Sequence, residues 1–181
     1  MDVQIIATVL SLNPEVDAEV IHLLWSLLTE LGLKDLTLHL NSIGDVNCRP
    51  AYLETLKAHY ADHLDKVCDD CRVRYQKNPL RLLDCKQDRC QSFIQSAPAL
   101  TNVLCDECST HFAALRRILD LWSIPYQITP RLVRGLDYYT RTVFEVHPAS
   151  QGSQTALGAG GRYDGLVASM GGGASIAFWP F

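Results

Sequence analysis

The segment from Leu132 to Glu145 reads LVRGLDYYTRTVFE and is the most informative part of the chain. Two arginines, one aspartate and two tyrosines surround a single glycine, directly before a run that is typical of a β-strand. The guanidinium of Arg134 could hold a carboxylate or a phosphate through two parallel hydrogen bonds. Tyr138 and Tyr139 face opposite sides of a strand, so only one of them lines a given pocket wall. In the alternative interpretation both tyrosines are core aromatics and Arg134 pairs with Asp137.

Predicted helices and strands alternate around this segment. Asn13 and Pro14 predict the start of a helix, and Gly32 predicts its C-terminal cap. Between them, the apolar residues at helical spacing are Val16, Val20, Leu23, Leu24, Leu27 and Leu31. The remaining strands are predicted at 3–10, 36–40, 126–128 and 142–146, and the remaining helices at 50–64 and 109–122. The mixture predicts an α+β fold, and hairpin-like strand pairs near the end predict an antiparallel sheet.

Composition restricts the class of protein. Apolar residues make up 48% and charged residues 20% of the 181 residues, which excludes disordered, collagen-like and coiled-coil proteins. The N-terminus carries no basic start or cleavage site, and apolar stretches such as residues 21–28 are too short to span a bilayer. We therefore expect a cytoplasmic protein without membrane contact.

Residues 67–108 differ from both flanks, which predicts three parts: 1–66, an inserted module at 67–108 with its own small core, and 109–181. Between Lys66 and Cys90 there are seven basic and four acidic residues, although the whole chain has a net charge of −4. A basic segment in an acidic protein favours contact with a polyanion. The alternative is a solvated loop.

Six of the seven cysteines lie in residues 67–108. Such clustering in a reducing compartment is typical of metal binding. Two Cys-x2-Cys pairs predict a tetrahedral Zn²⁺ site with four thiolates. The predicted ligands are Cys68, Cys71, Cys105 and Cys108. Cys85 and Cys90 could replace either pair, and His111 is a further candidate ligand. The alternative is that all of these thiols are free.

Segment 134–140 resembles the histidine-specific signature of histidyl-tRNA synthetases, which are class II aminoacyl-tRNA synthetases. Three further motifs resemble that family in the same order: NSIGD at 41–45, NPLRLLDCK at 78–86 and AGGRYDGL at 159–166. The resemblance extends from about Val3 to Gly172. It implies part of an antiparallel-sheet catalytic domain into which a mainly helical, Cys-rich module is inserted.

The resemblance also implies a function. Members of the family activate histidine with ATP and Mg²⁺ and transfer it to tRNA-His, as homodimers. Arg134 would be the catalytic residue, in contact with the α-phosphate and the histidine carboxylate. The histidine pocket would comprise Arg134, Tyr138, Tyr139, Gly160, Gly161 and Tyr163. Within that set, Tyr139 would hydrogen-bond the imidazole, the glycines would let backbone approach the ligand, and Tyr163 would close the floor. The inserted module would contact the tRNA acceptor arm through Arg72, Arg74, Lys77 and Arg81.

Two departures from the family are expected to matter. The dimer motif and the ATP-gripping arginine of the second motif belong upstream of the region matched by residues 1–12, and no arginine follows Arg162. We therefore expect an incomplete chain that is inactive alone. Two alternatives stay open. One is a synthetase-like regulatory subunit of ATP phosphoribosyltransferase, which typically lacks the inserted module, and the other is a zinc-containing RNA-binding module, which needs no amino-acid pocket.

Overall fold

The computed structural model describes residues 3–4, 13–134, 139–148, 156–164, 166 and 171. Its strands are β1 (Val3–Gln4), β2 (Leu36–Ser42), β3 (Tyr126–Ile128), β4 (Thr140–Pro148) and β5 (Gly158–Arg162). They form one mixed sheet in the order β1-β5-β4-β2-β3. The inner pairs β5–β4 and β4–β2 are antiparallel, whereas β1 and β3 join the edges in parallel. The α+β prediction is confirmed, and the antiparallel arrangement holds for the centre of the sheet.

The helices predicted to begin at Pro14 and to span 50–64 and 109–122 lie close to those positions, and two further helices lie in the segment 67–108. They are α1 (Pro14–Glu30), α2 (Arg49–Ala61), α3 (Asp69–Lys77), α4 (Asp88–Ser96) and α5 (Asp106–Leu121), with 3₁₀ turns at Pro79–Leu82 and Leu100–Asn102. None of the helices within the described ranges is long and apolar enough to cross a membrane.

The ends of α1 follow the local sequence signals. Asn13 occupies the N-cap position with extended backbone, and Pro14 takes the first helical position. Beyond the C-terminus, Gly32 has a φ of +83°, and the amides of Gly32 and Leu33 donate to Thr29 and Leu28. A left-handed residue at this point is typical of glycine, because other side chains pay a steric cost there.

The apolar face predicted for α1 is wrong in part. Leu23, Leu27 and Leu31 are exposed, whereas Ala18, Ile21, Leu24 and Leu28 are buried. Both sets satisfy helical spacing, so periodicity could not choose between them. The second set is buried because it packs against Leu38, Leu40 and Phe144 of the sheet.

Alternate residues of β4 point to two different environments. Phe144 and Val146 join the core formed with α1 and α5, whereas Val143 joins the core formed with α2 and residues 67–104. The second core also contains Tyr139 and Tyr163. From the sequence we expected segment 67–108 to enclose a core of its own. In the structure it instead shares one core with the sheet.

The regular ladder between β4 and β5 is interrupted. Thr140 pairs with Arg162 and Val143 pairs with Gly161, so two residues of β4 oppose none of β5. One of them, Arg141, has a φ of +50°, and both its backbone groups bond to the β2–α2 loop, at Ile43 and Gly44. Such a bulge changes the direction of the strand and of its side chains.

A buried polar network ties four elements together. Asp17 of α1 accepts hydrogen bonds from His111 of α5 at 2.7 Å, from Thr142 of β4, and from Arg162 of β5. Arg162 also contacts Asp164 at 2.9 Å. Burial disfavours the charged carboxylate, but these donors and the charge of Arg162 lower the pKa of Asp17 below its usual value. The network fixes the helical layer to β5, the strand that carries the first half of the AGGRYDGL motif.

Candidate active site

A tyrosine pair forms the centre of the candidate site. Tyr139 precedes β4 and Tyr163 follows β5, and both side chains are buried. Their hydroxyl oxygens lie 2.6 Å apart and their ring centroids 4.5 Å apart. Two histidine-signature residues that are distant in sequence therefore form one hydrogen-bonded unit.

The two glycines of β5 make room for protein side chains. A Cβ on Gly161 would lie 2.7 Å from the Tyr139 ring and 2.6 Å from the carbonyl oxygen of Thr142. A Cβ on Gly160 would lie 2.5 Å from the ring of Phe144, on the opposite face. The sequence interpretation expected these glycines to admit a ligand. In the structure, an aromatic ring occupies the space beside each one.

Arg134 lies beside the tyrosine pair. Its Nη1 donates to Glu145 Oε1 at 2.7 Å, and its guanidinium carbon lies 5.9 Å from the centroid of the Tyr139 ring. Burial disfavours the charge, but hydrogen bonds and charge interactions with Tyr139 and Glu145 raise the pKa of Arg134. Asp137, its alternative partner, and Tyr138 lie outside the described residues, so the predictions for both stay open.

Sequence reasoning missed Glu145 and two histidines that lie near it. His147 Nε2 lies 2.9 Å from Glu145 Oε2, and the ring of His147 meets that of His39 at a centroid distance of 5.0 Å. His39 pairs with Glu145 across the β2–β4 ladder and contacts the hydroxyl of Thr129 at 2.8 Å. The period-2 alternation of β4 could have found them, because it places Val143, Glu145 and His147 on one face.

A pocket of about 220 Å³ opens next to Arg134. It is smaller than the roughly 300–1,000 Å³ typical of drug-sized ligands, so it suits a small group. Its described lining residues are Ile43, Arg49, Leu53, Lys77, Asn78, Pro79, Leu80, Val133 and Arg134. Three of them are cations and none is acidic, which favours an anionic ligand. The pocket brings together parts of the NSIGD motif, the NPLRLLDCK motif and the histidine signature.

Arg49 connects two backbone segments at this pocket. Its guanidinium donates to the carbonyl oxygens of Ile43 at 3.1 Å, Gly44 at 2.9 Å and Tyr139 at 2.6 Å. These bonds join the β2–α2 loop to the backbone of Tyr139. The charge of Arg49 is thereby fixed at the base of the pocket.

The four residues predicted to contact tRNA have different surroundings. Arg72 donates to the carbonyl oxygens of Leu64 and Asp65 and pairs with Asp69 at 2.8 Å. Arg74 donates to the carbonyl oxygen of Arg81 at 3.1 Å. Lys77 is exposed and lines the pocket with Arg134. The structure thus connects one of the four directly to the histidine signature.

The cysteines form two separate clusters. The sulfurs of Cys68, Cys71, Cys85 and Cys90 all lie within 4.8 Å of one another. The second cluster comprises Asp45, Cys48, Cys105 and Cys108, and its sulfur and carboxylate oxygen atoms also lie within 4.8 Å of one another. The structure therefore splits the predicted ligand set, because Cys68 and Cys71 meet the Cys85–Cys90 pair while Cys105 and Cys108 meet the β2–α2 loop. His111, the further candidate ligand, instead bonds Asp17.

Asp45 is already engaged within the second cluster. Its Oδ1 accepts the amide of Asn47 at 2.9 Å, and its Oδ2 lies 3.3 Å from Arg141 Nη2. Burial opposes the charge of this carboxylate, but the Asn47 amide, the Cys108 thiol and Arg141 lower its pKa to about 2. The carboxylate of Asp45 thus forms an ion pair with Arg141, the residue of positive φ at the β4 bulge.

Comparison with known proteins agrees with these motifs. The family model described as histidyl-tRNA synthetase matches residues 11–178. A curated histidine–tRNA ligase of Dehalococcoides mccartyi is 50% identical over 160 residues, which is 88% of this chain and 38% of that protein. The chain spans about two fifths of the length of the curated relatives it matches.

Solved structures share the fold. The structure of apo histidyl-tRNA synthetase from S. aureus superposes with a TM-score of 0.69 at 37% identity, covering 91% of this chain and 40% of that one. A Bacillus halodurans protein described as an ATP phosphoribosyltransferase regulatory subunit/histidyl-tRNA synthetase has a TM-score of 0.54 at 20% identity, covering 89% and 46%. The second likeness shows the fold alone.

Proposed function

The chain belongs to the histidyl-tRNA synthetase family, and from that premise we propose that it forms the histidine-recognition half of a histidine–tRNA ligase site. The observation that carries the proposal is the hydrogen-bonded pair of Tyr139 and Tyr163 beside Arg134. In this proposal the pair brings the signature at 134–140 and the AGGRYDGL motif together at one side of the histidine site.

The tyrosine pair suits a neutral imidazole. Each phenol hydroxyl can both donate and accept a hydrogen bond. A neutral imidazole offers one acceptor nitrogen and one donor N–H. Tyr139 is assigned the imidazole contact and Tyr163 orients it, with Gly161 leaving space for the Tyr139 ring.

We assign Arg134 to the reacting groups, which are the carboxylate of histidine and the α-phosphate of ATP. In the proposed step, a carboxylate oxygen of histidine attacks the α-phosphorus of ATP, and pyrophosphate leaves. Negative charge grows on the phosphorus oxygens, and a guanidinium held in place stabilises it without reorganisation. Glu145 holds Nη1, whereas the buried Nε has no hydrogen-bond partner among the described residues and is the donor that we assign to the substrate. Mg²⁺ bound to ATP supplies charge neutralisation at the phosphates.

In the second step a ribose hydroxyl at the tRNA terminus attacks the histidyl carbonyl carbon, and AMP leaves. We assign the acceptor arm of tRNA-His to the basic segment that contains Arg72, Arg74, Lys77 and Arg81. Lys77 has the strongest support, because it is exposed and shares the anion-suited pocket with Arg134. The homodimer and the cytoplasmic location belong to the same proposal, as properties of the family.

Calorimetric titration of the purified chain with L-histidine tests the recognition step. L-phenylalanine is the matched control, because its ring lacks both nitrogens, and a site built for hydrogen bonds rejects such an analogue. Histidinol, which lacks the carboxylate, separates the roles further. Arg134→Ala should weaken binding of histidine but not of histidinol. Equal affinity for histidine and phenylalanine would contradict the proposal.

A chimera tests the reaction. Residues 13–166 of this chain replace the matching segment of the Dehalococcoides ligase, and histidine-dependent exchange of pyrophosphate into ATP is measured. We expect exchange that depends on Arg134. The regulatory-subunit alternative predicts a folded chimera without exchange, whereas a module that binds only RNA predicts tRNA binding without any response to histidine.

A further inference from the structure

Four buried thiols from three separate segments meet beside α2. Cys68 and Cys71 belong to the start of α3, Cys85 follows the 3₁₀ turn at 79–82, and Cys90 lies in the first turn of α4. All four are at most 6% exposed, and none is in a disulfide. Such convergence in a core otherwise made of aliphatic side chains and tyrosines calls for a chemical reason.

The sulfur geometry matches one metal ion. The Sγ atoms of Cys68 and Cys85 lie 3.6 Å apart, and every pair in the cluster lies within 4.8 Å. Four sulfurs placed tetrahedrally at about 2.3 Å from Zn²⁺ are about 3.8 Å from one another. The observed spacing therefore fits a single central ion bonded to all four.

Donors for thiolate charge are also present. The amide of Cys68 donates to the sulfur of Cys90 at 3.3 Å, and the amide of Gln87 donates to the sulfur of Cys85 at 3.5 Å. Cys71 and Cys90 each hold the third position of a nine-residue helix, near its positive N-terminal end. These groups favour bound thiolates over an uncharged hydrophobic cluster.

The second cluster is less suitable for a metal. Its carboxylate, Asp45, is already bonded to Asn47 and Arg141, and its Cys105 is only partly buried. It nevertheless offers a matched control. Cys108 is fully buried and holds the third position of α5, as Cys71 and Cys90 do in α3 and α4.

We propose that Cys68, Cys71, Cys85 and Cys90 bind one structural Zn²⁺ that fastens α3, α4 and the NPLRLLDCK segment to one another. The site takes no part in the histidine chemistry, so the proposal stands or falls independently of the proposed ligase function. By holding Asn78–Leu80, which line the pocket, the ion would set the position of that wall relative to Arg134.

Metal analysis of the full chain, purified without chelators, tests this assignment. We expect about one equivalent of zinc in the wild type and in Cys108→Ser, and under about a tenth of an equivalent in Cys85→Ser and Cys90→Ser. A wild-type chain free of zinc would overturn the proposal. So would zinc that survives Cys85→Ser and Cys90→Ser but is lost in Cys108→Ser.

A second measurement needs no variant and guards against misfolding of the serine forms. The wild-type chain is stripped of metal and titrated with Co²⁺, which reports its ligands by visible absorption. Strong thiolate charge-transfer bands with tetrahedral d–d bands, reversed by Zn²⁺, are expected. The weak spectrum of an octahedral oxygen site, or the brown colour of an iron–sulfur protein as purified, would refute the zinc assignment.

Discussion

The hydroxyl of Tyr139 lies 2.6 Å from the hydroxyl of Tyr163, although the two residues belong to different motifs and flank different strands. The contact exists because β4 and β5 are paired and the β4 bulge separates Thr140 from Val143 in the ladder. Gly161 completes the arrangement by leaving space for the Tyr139 ring. In the proposed function, recognition of an imidazole therefore depends on the strand pairing rather than on either motif alone.

Removal of either hydroxyl should weaken histidine binding. Tyr139→Phe leaves a buried polar partner unsatisfied, which costs about 1–3 kcal/mol, or roughly a 5- to 150-fold loss of affinity for histidine. Tyr163→Phe should give a smaller loss, since its hydroxyl acts through Tyr139. Calorimetry with L-histidine and melting curves of both variants provide the measurement.

Tyr126→Phe is the matched control, because the Tyr126 hydroxyl accepts a 3.3 Å hydrogen bond from exposed Arg116, away from the tyrosine pair. Strand alternation also predicts a smaller effect for Tyr138→Phe than for Tyr139→Phe. Unchanged affinity in Tyr139→Phe, with an unchanged melting temperature, would remove that residue from the site.

The geometry of Arg134 should matter more than its charge. Arg134→Lys keeps a cation but loses the planar fork, so we expect a fall in kcat of the chimera by at least about tenfold, with histidine KM little changed. Glu145→Gln should reproduce a milder form of this loss, because Glu145 holds Nη1 of Arg134 at 2.7 Å.

Pyrophosphate exchange and histidine KM, measured for each variant, check this prediction. If Arg134 were only a structural partner of Glu145, the two variants would lose thermal stability to the same extent and keep their kcat. Lys57, paired with exposed Glu54 at 3.7 Å, provides a surface comparison in Lys57→Gln. That variant should match the wild type in both measurements.

Alanine substitutions at the two neighbouring glycines of β5 should have different effects on histidine affinity and on stability. Gly161→Ala places a methyl group 2.6 Å from the carbonyl oxygen of Thr142 and 2.7 Å from the Tyr139 ring, so we expect some loss of stability, displaced Tyr139 and lost histidine affinity. Gly160→Ala places it 2.5 Å from the Phe144 ring, in the core shared with α1 and α5. Overpacking there typically costs about 1–3 kcal/mol of stability.

Denaturant unfolding and histidine calorimetry of the two variants separate these effects. We expect the ratio of affinity loss to stability loss to be several-fold larger for Gly161→Ala than for Gly160→Ala. Equal ratios would mean that both glycines serve only the packing of the sheet.

Signals that act within a few residues could be predicted from the sequence. Asn13, Pro14 and Gly32 determine the ends of α1 through their own backbone preferences, so no distant contact is needed to place them. The position of β4 follows likewise from its run of β-branched and aromatic residues. The family motifs placed Arg134 and Tyr139 in one predicted pocket, and the guanidinium carbon of Arg134 lies 5.9 Å from the centroid of the Tyr139 ring.

Partners chosen by long-range packing could not be predicted in the same way. Two helical stripes of α1 have suitable spacing, and only the sheet determines that Ile21 is buried while Leu23 is exposed. Equal Cys-x2-Cys spacing likewise gave no means to tell which pairs meet. The 3₁₀ turn at 79–82 decides this, because it returns Cys85 to a position 3.6 Å from Cys68.

The network around Asp17 leads to a prediction about stability. Asp17→Asn removes the carboxylate that faces buried Arg162, and breaking such a pair typically costs about 3–5 kcal/mol. We expect a value near the lower end, about 3 kcal/mol, because Arg162 keeps its contact with Asp164 at 2.9 Å. The free energy of unfolding, from urea titrations at neutral pH, is the measurement.

The dependence of this loss on pH follows from the pKa of Asp17. Because that pKa is lowered in the folded protein, the stabilisation is complete above the unfolded value of about 3.9 and is lost as the pH falls through the folded value. The gap between wild type and Asp17→Asn should therefore stay constant from about pH 7 to pH 5 and shrink below about pH 4. Asp69→Asn is the control, since the Asp69 carboxylate pairs with Arg72 while 87% exposed, and should cost no more than about 1 kcal/mol. A gap between wild type and Asp17→Asn that is as small as this, or that widens in acid, would show that the carboxylate does not hold the charge of Arg162 in the folded protein.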